Sequence, residues 1–444
     1  MSKRILPWAS TLAAIITVYA GAGVTVAPLR GYRARSALRQ QPADSEVSPR
    51  IERLRRAVKQ GDRSAVTDFW NGLRAQGTPL IEPVAGDPRH SLVTFVYRGA
   101  ATTTAVTLSA QLHFTGAPGE NSFTRLGTTN VWFRTYRVPT DLRFSYGFIV
   151  DSAAAPVERD LLNPRVLPQG VGLLGESVVE LPRARLQRWI IRDSTVPEGK
   201  LEAFDIPSRV LGADRRAWIY LPANYDPRRA APYHLLVCFD GEWFARANDL
   251  PTSIDNLVAS HEIPPFIAVF VEQSPQPRRN IELGNNQEFL DFVANELLPA
   301  VRARWHATSE PGATAACGGS SGGLGSAFAA YRRPDVFGNV ISESGAFWPG
   351  HTRDDSAREW LTKQIDASPK LPIRFVLDVG VLEVHPTVGG GPSILTANRH
   401  LRDVLVAKGY ELHYSEVPGG HEPLSWRGGL GDGLIELFGR PNGT

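Results

Sequence analysis

The stretch "ACGGSSGGLGSAFAAY", residues 316–331, sets two adjacent serines among glycines where an apolar run stops and an alanine-rich run begins. The preceding "ATAACGG" (313–319) reads as a short buried strand, and "GLGSAFAAYRRP" (323–334) reads as a helix stopped by Pro334. The G-x-S-x-G spacing of a nucleophile elbow occurs twice in overlap, Gly318 and Gly322 about Ser320 and Gly319 and Gly323 about Ser321, and Ser320 is the serine that directly ends the apolar run. That strand-to-helix turn is sharp, and larger neighbours would collide in it. Ser320 is therefore the candidate nucleophile. Ser321 opens the helix, so its amide sits at the positive end of the helix dipole and can hold an oxyanion.

An elbow of this kind needs an acid and a histidine that follow the serine in that order. Five histidines follow: His351, His385, His400, His413 and His421. "VPGGHEPLSWRGG" (417–429) puts His421 on a Gly-Gly loop after the strand-like "ELHYSEV" (411–417), where a last strand would deliver a general base. His400 falls in a helical pattern and His413 in strand alternation, so both read as packed or solvated side chains. For the acid, "IRFVLDVGVLEVHP" (373–386) offers Asp378 inside a strand and Glu383 just after it. Glu383 is preferred, because a loop position beyond the strand can reach the imidazole, hold its tautomer and stabilise the imidazolium. The second oxyanion donor is expected in the loop of "VCFDGEWF" (237–244), from the amide of Gly241 or Glu242. Asp240 there reads as a turn-shaping residue.

Around this core the chain has 444 residues, a net charge of +3 and no long Lys/Arg run, which suits two domains and argues against nucleic acid as a partner. Two cysteines, Cys238 and Cys317, cannot form a zinc cluster by themselves and read as buried thiols; no metal or cofactor is expected. Residues 46–185 are expected to form one domain. It starts with two short helices, Ser48 capping the first with Pro49 at its first position. Strands then alternate with period two in "SLVTFVYRG", "TTTAVTLSAQLHF", "TNVWFRTYRVP" and "RFSYGFIVD", which suggests a small antiparallel β-sandwich of immunoglobulin-like kind. Residues 186–444 are expected to form the catalytic domain. Here "RRAWIYLP", "YHLLVCFDG", "PFIAVFVE", "ATAACGG" and "IRFVLDVG" are nearly unbroken apolar runs separated by helical patterns. That alternation argues for an α/β fold with a mostly parallel sheet covered on both faces, and for chemistry at the carboxyl ends of its strands.

Residues 1–45 read as a leader or anchor plus a linker. After Lys3 and Arg4, the stretch "ILPWASTLAAIITVYAGAGVTVAP" (5–28) is uncharged, as in a secretory signal or single membrane anchor. Arg30, Arg33, Arg35 and Arg39 oppose export of that flank, so a cytoplasmic protein is the alternative to a periplasmic or secreted one.

Several stretches together resemble the enterochelin (enterobactin) esterases: "FWNGLRAQGTPLIEP", "TNVWFRTYRVP", "FDGEWF", "GGSSGGLGS", "ISESGAFWPG" and "GGHEPLSWRGGL". These run from about Phe69 to Leu430. The resemblance implies an N-terminal sandwich domain before an α/β-hydrolase domain of the esterase D type. It also implies serine-dependent hydrolysis of ester bonds in catecholate siderophores or their iron complexes. Ser320 and His421 occupy the matching positions, and Glu383 sits where the family's acid falls. Ser321 stands where relatives often carry a bulky residue, and the loop "HPTVGGGPS" (385–393) is longer and richer in glycine than the resemblance leads one to expect.

A ferric catecholate is anionic and aromatic, so its cleft is expected to offer guanidinium and aromatic groups. Arg278, Arg279, Arg427, Trp243, Trp348 and Trp426 flank the motif stretches and are the candidates. Trp132 and Arg134 lie in the N-terminal domain, where strand alternation makes Trp132 a core residue. Three rival readings remain: an acyltransferase or polysaccharide-acyl esterase on the same fold, a siderophore-binding module without turnover, and a structural protein on a decayed hydrolase scaffold.

Overall fold

The protein is described by a computed structural model covering residues 48–112, 119–168, 171–172, 174–350, 358–387 and 389–439. The expected leader and linker, residues 1–45, lie outside the described residues. Among the described residues no helix is long and apolar enough to cross a membrane. The chain divides into two compact units that meet between Arg185 and Leu186.

The first unit opens with α1 (Pro49–Lys59) and α2 (Ala65–Gln76). The Ser48 hydroxyl accepts from the Ile51 amide at 3.3 Å, satisfying one of the donors that a helix start leaves unpaired. Ile51, Leu54, Trp70 and Leu73 are buried together with Leu80, Val96, Val131 and Phe133 of the strands that follow. Those strands are β1 (Leu80–Val84), β2 (Asp87–Arg98), β3 (Val106–Ser109), β4 (Thr124–Arg125), β5 (Val131–Pro139), β6 (Arg143–Val150) and β7 (Ser177–Glu180). They form two antiparallel sheets, β1-β2-β5-β4 and β3-β6-β7. Phe95 of β2 meets Tyr146 of β6 at 4.7 Å between ring centroids, so aromatic side chains join one sheet to the other. Trp132 is buried in this unit, under Arg125.

The second unit is built on one eight-stranded sheet: β8 (Lys200–Ser208), β9 (Ala213–Leu221), β10 (His234–Phe239), β11 (Phe266–Val271), β12 (Thr314–Gly319), β13 (Asn339–Glu343), β14 (Arg374–Gly380) and β15 (Glu411–Val417). Its order is β15-β14-β13-β12-β10-β11-β9-β8, with β10 to β15 parallel and β8 and β9 antiparallel at one edge. Every residue of β11 and β12 is buried, as strands covered on both faces require. The apolar runs of the sequence do not reveal β8, because this edge strand is polar and leaves most of its residues partly open.

The helices are α3 (Leu250–Ala259), α4 (Arg278–Glu282), α5 (Gln287–Asp291), α6 (Leu298–Arg304), α7 (Ser321–Arg332), α8 (Trp360–Ala367), α9 (Ile394–Ala407) and α10 (Pro423–Phe438). A π-helical stretch, Phe292–Leu297, joins α5 to α6. Phe289, Leu298, Phe328 and Leu401 pack on one face of the sheet, against Val237, Val269 and Phe375. Leu257, Leu430 and Leu434 pack on the other, against Cys238, Phe270 and Ile341. The register therefore alternates Val237 and Cys238 between two cores. Cys238 and Cys317 are free thiols, buried opposite each other on β10 and β12.

Helix α10 has no signature in the sequence, since four glycines interrupt its pattern at roughly 1 kcal/mol each. Their use is close approach. A Cβ on Gly429 would lie 2.4 Å from Glu343 Oε1, and one on Gly433 would lie 2.9 Å from Ile341 Cγ2. The helix can thus lie directly on β13, and its first turn follows the His421 loop.

Candidate active site

All the loops that carry the candidate residues leave the carboxyl ends of parallel strands, where open α/β sheets place their sites. At the end of β12 the backbone of Ser320 adopts φ 57°, ψ −120°, a conformation rare for a residue with a side chain. The surrounding structure enforces it. The Ser320 amide donates to the Glu343 carbonyl and the Ser320 carbonyl accepts from the Ala346 amide, both at 2.9 Å. A Cβ on Gly318 would come within 2.7 Å of Gly322, and one on Gly319 within 2.7 Å of the Trp426 ring. These contacts are the steric reason for the glycines around the serine.

Ser321 is the first residue of α7, so its amide has no acceptor within the helix. Gly241 and Glu242 begin the helical turn after β10, anchored by the Phe244 amide donating to the Asp240 carbonyl at 3.1 Å. Their amides likewise lack intrahelical acceptors. This turn lies against the start of α7, since a Cβ on Gly322 would be 3.1 Å from Asp240 Oδ2. Gly241 is required there because a Cβ would lie 2.4 Å from the Phe270 backbone.

On the other side, His421 Nδ1 lies 2.7 Å from Glu383 Oε2. Glu383 is almost wholly buried, and its Oε1 accepts from the Ser344 hydroxyl at 2.5 Å and from the Gly380 amide at 2.8 Å. With Nδ1 donating to the carboxylate, neutral His421 keeps Nε2 as its acceptor nitrogen. The indole of Trp426 touches both halves of the site. It packs edge-on to His421 with ring centroids 5.0 Å apart, and it covers Gly319 beside the nucleophile.

Ser344 lies in the motif stretch "ISESGAFWPG", but no spacing there singles it out as a partner of the acid. It has a positive φ of 50°, donates to Glu383, accepts from Trp426 Nε1 at 3.0 Å, and its amide donates to the Asp378 carbonyl at 2.6 Å. Asp378 itself sits within β14, opposite Glu343. Burial first, and Asp378 second, push the Glu343 carboxyl well above the usual carboxylate range.

Two expected substrate residues are engaged within the protein itself. Arg279 forms a two-pronged pair with the Asp240 carboxylate and donates to Asn280 Oδ1 at 3.0 Å, while the Ser321 hydroxyl donates to the same Asn280 oxygen at 3.1 Å. Its guanidinium neutralises a mostly buried carboxylate and ties the Asp240 turn to α7, so it is not available to a ligand. Trp426 is buried, with Nε1 spent on Ser344, and supports His421 from behind. Arg278 is exposed and lies 3.6 Å from Glu282 on its own helix. Trp243 is half-buried against Trp426, and Arg427 is half-buried with Nε 3.4 Å from Gln187 Oε1. Trp348 is half-buried beneath Arg358. His400 pairs with Glu359 on the surface, and His413 faces Glu436.

Residues 208–437 match the Esterase family, and residues 92–190 match the enterochelin esterase N-terminal family. The iron(III) enterobactin esterase of Escherichia coli K12 is 30% identical over 340 residues, which cover 71% of this chain and 82% of that protein. The chain belongs to the enterochelin esterase family. The iron(III) salmochelin esterase of Escherichia coli O6:H1 is 26% identical, over 88% of this chain and 98% of its own length. Among solved structures, the enterobactin esterase of Shigella flexneri, crystallised in the presence of enterobactin, aligns with a TM-score of 0.68 and 28% identity. That alignment covers 81% of this chain and 95% of the other. As an enterochelin esterase-family protein, the chain is a carboxylic ester hydrolase with the α/β-hydrolase architecture expected for it.

Proposed function

We propose that this enterochelin esterase-family protein hydrolyses the ester (lactone) bonds of a catecholate siderophore or its ferric complex, using Ser320, His421 and Glu383. The support for the substrate is the match along both units to esterases named for enterobactin and salmochelin. The observation that carries the chemistry is the His421–Glu383 hydrogen bond at 2.7 Å, on the same end of the sheet as the strained Ser320 turn.

In this reading Ser320 Oγ attacks the ester carbonyl while its proton passes to His421 Nε2. Negative charge gathers on the carbonyl oxygen, where the amides of Ser321 and of Gly241 or Glu242 hold it. The intermediate collapses, the C–O bond breaks, and the leaving alkoxide takes the proton from His421. Water then attacks the acyl-serine with His421 as base, releasing the acid and restoring the Ser320 hydroxyl. Glu383 orients the ring and stabilises the imidazolium in both halves.

The test is to incubate the purified chain with ferric and iron-free catecholate trilactone and to identify the products by mass. Stepwise linear esters and free monomers are expected from wild type and none from Ser320→Ala. An intact trilactone alongside hydrolysis of an acylated sugar would overturn the siderophore reading. Full activity in Ser320→Ala would overturn the mechanism.

Export to the periplasm or beyond, by cleavage or as a membrane anchor, is proposed from residues 1–28, where an uncharged run of 24 residues follows Lys3 and Arg4. Fractionation of cells and N-terminal sequencing of the native protein test it, and a soluble cytoplasmic chain that retains this segment would overturn it.

A further inference from the structure

The glycine-rich loop after Glu383 plays no part in the chemistry above, yet the structure gives its composition a cause. Arg358 lies over the Trp348 ring, its guanidinium carbon 5.5 Å from the ring centroid. A Cβ on Gly389 would fall 2.6 Å from Arg358 Nη2, and a Cβ on Gly391 would fall 3.7 Å from Trp348 and 3.8 Å from Arg358 Nε. The Gly389 carbonyl accepts from Arg358 Nη2 at 3.4 Å. Gly389 has a φ of 75°, which favours glycine, and at Gly391 it is Thr387 Oγ1, 2.5 Å away, that leaves no room for a Cβ, so the bare loop backbone runs in contact with the arginine and the indole. Among the described residues no carboxylate pairs with Arg358, whereas Arg278, Arg279 and Arg399 are each matched to one.

The place is as telling as the pair. Trp348 follows β13 and stands two residues beyond Ala346, whose amide bonds the Ser320 carbonyl. The loop of Gly389 and Gly391 follows β14 and carries Glu383 at its start. Both segments therefore leave the sheet at the end where the site lies. Arg358 and Trp348 are only half-buried, so an indole face and a planar cation remain accessible together. A guanidinium on an aromatic ring suits a ligand that is both flat and negatively charged.

We propose that Arg358, Trp348 and the Gly389–Gly391 loop form a subsite that receives an anionic aromatic group, the catecholate ring of the substrate. This rests on the siderophore reading for its substrate, but not for its ligand chemistry. Two measurements separate them: the ratio of kcat/KM for a catecholate trilactone to that for p-nitrophenyl butyrate, and inhibition of p-nitrophenyl butyrate hydrolysis by 2,3-dihydroxybenzoate. Both are made on wild type, Arg358→Gln and Trp348→Leu. Arg304→Gln serves as control, since it alters another arginine over a tryptophan, Trp305, in the segment leading toward the start of β12.

For Arg358→Gln and Trp348→Leu the ratio is expected to fall about tenfold and the inhibition constant to rise about tenfold. Neither is expected to move in Arg304→Gln. Values for Arg358→Gln within about twofold of wild type, or no inhibition of wild type by the dihydroxybenzoate, would overturn the subsite. Failure of wild type to open the trilactone would overturn the siderophore reading instead, and the inhibition measurement would still decide the subsite.

Discussion

The Ser344 hydroxyl donates a 2.5 Å hydrogen bond to Glu383 Oε1, while the other oxygen of that carboxylate meets His421 Nδ1 at 2.7 Å. The carboxylate that orients the histidine is thus itself oriented, and Trp426 Nε1 holds Ser344 in turn. Ser344 acts through Glu383 and is a positioning residue.

Removing that hydroxyl leaves the nucleophile and histidine in place but frees one side of Glu383. Ser344→Ala is expected to lower kcat about tenfold to a hundredfold with KM little changed, as loss of a hydrogen bond to a charged group implies. Steady-state kinetics on a short acyl ester, with a melting curve to show the fold intact, check this. A rise in KM at constant kcat would mean that Ser344 serves binding instead.

The acid can be assigned by comparing two isosteric amides. Glu383→Gln is expected to reduce kcat on the order of 10³- to 10⁴-fold, because an amide can hold the imidazole in the wrong tautomer. Asp378→Asn, within β14 and opposite Glu343, is expected to cost less than about tenfold. If the two losses are reversed, the third member of the triad is Asp378.

Arg279 and Asp240 offer a test by stability. Arg279→Ala strands the Asp240 carboxylate without its cation, and a loss of roughly 3 kcal/mol is expected by denaturant unfolding. Ser321→Ala removes only the bond to Asn280 and should cost about 1 kcal/mol with most activity kept, since its amide remains. Unchanged stability in Arg279→Ala with a raised KM would return that arginine to substrate binding.

Glu343 supplies a pH dependence. Burial and Asp378 raise its folded-state pKa, so the folded protein keeps a proton that the unfolded chain loses above about pH 4.3. Stability from this group is present in acid and declines as the pH rises from there towards the folded value. Glu343→Gln holds no such proton. Its melting temperature is expected to gain steadily on wild type as the pH is raised from about 4.5 to about 8. A difference that stays constant with pH would sink this account.

The elbow was legible because its chemistry depends on local sterics. Two glycines at fixed spacing, a strand before and a helix after are properties of consecutive residues, and Ser320 does take a positive φ between them. The parallel strands were legible because burial on both faces demands unbroken apolar runs. The polar edge strand β8 and the glycine-bearing α10 escaped, since each is stabilised by what it packs against and not by its own pattern.

What sequence alone determined is the order of serine, acid and histidine, and the chain's resemblance to a family of esterases. Tertiary structure decided which residues hold that order in place. Arg279 was drawn from substrate to Asp240, Trp426 was set behind His421, and Ser344 became the donor that fixes Glu383. The Arg279–Asp240, Ser344–Glu383 and Trp426–Ser344 bonds span 39 to 82 residues, so no local spacing encodes them. The parallel sheet creates them by bringing the ends of its strands to one side.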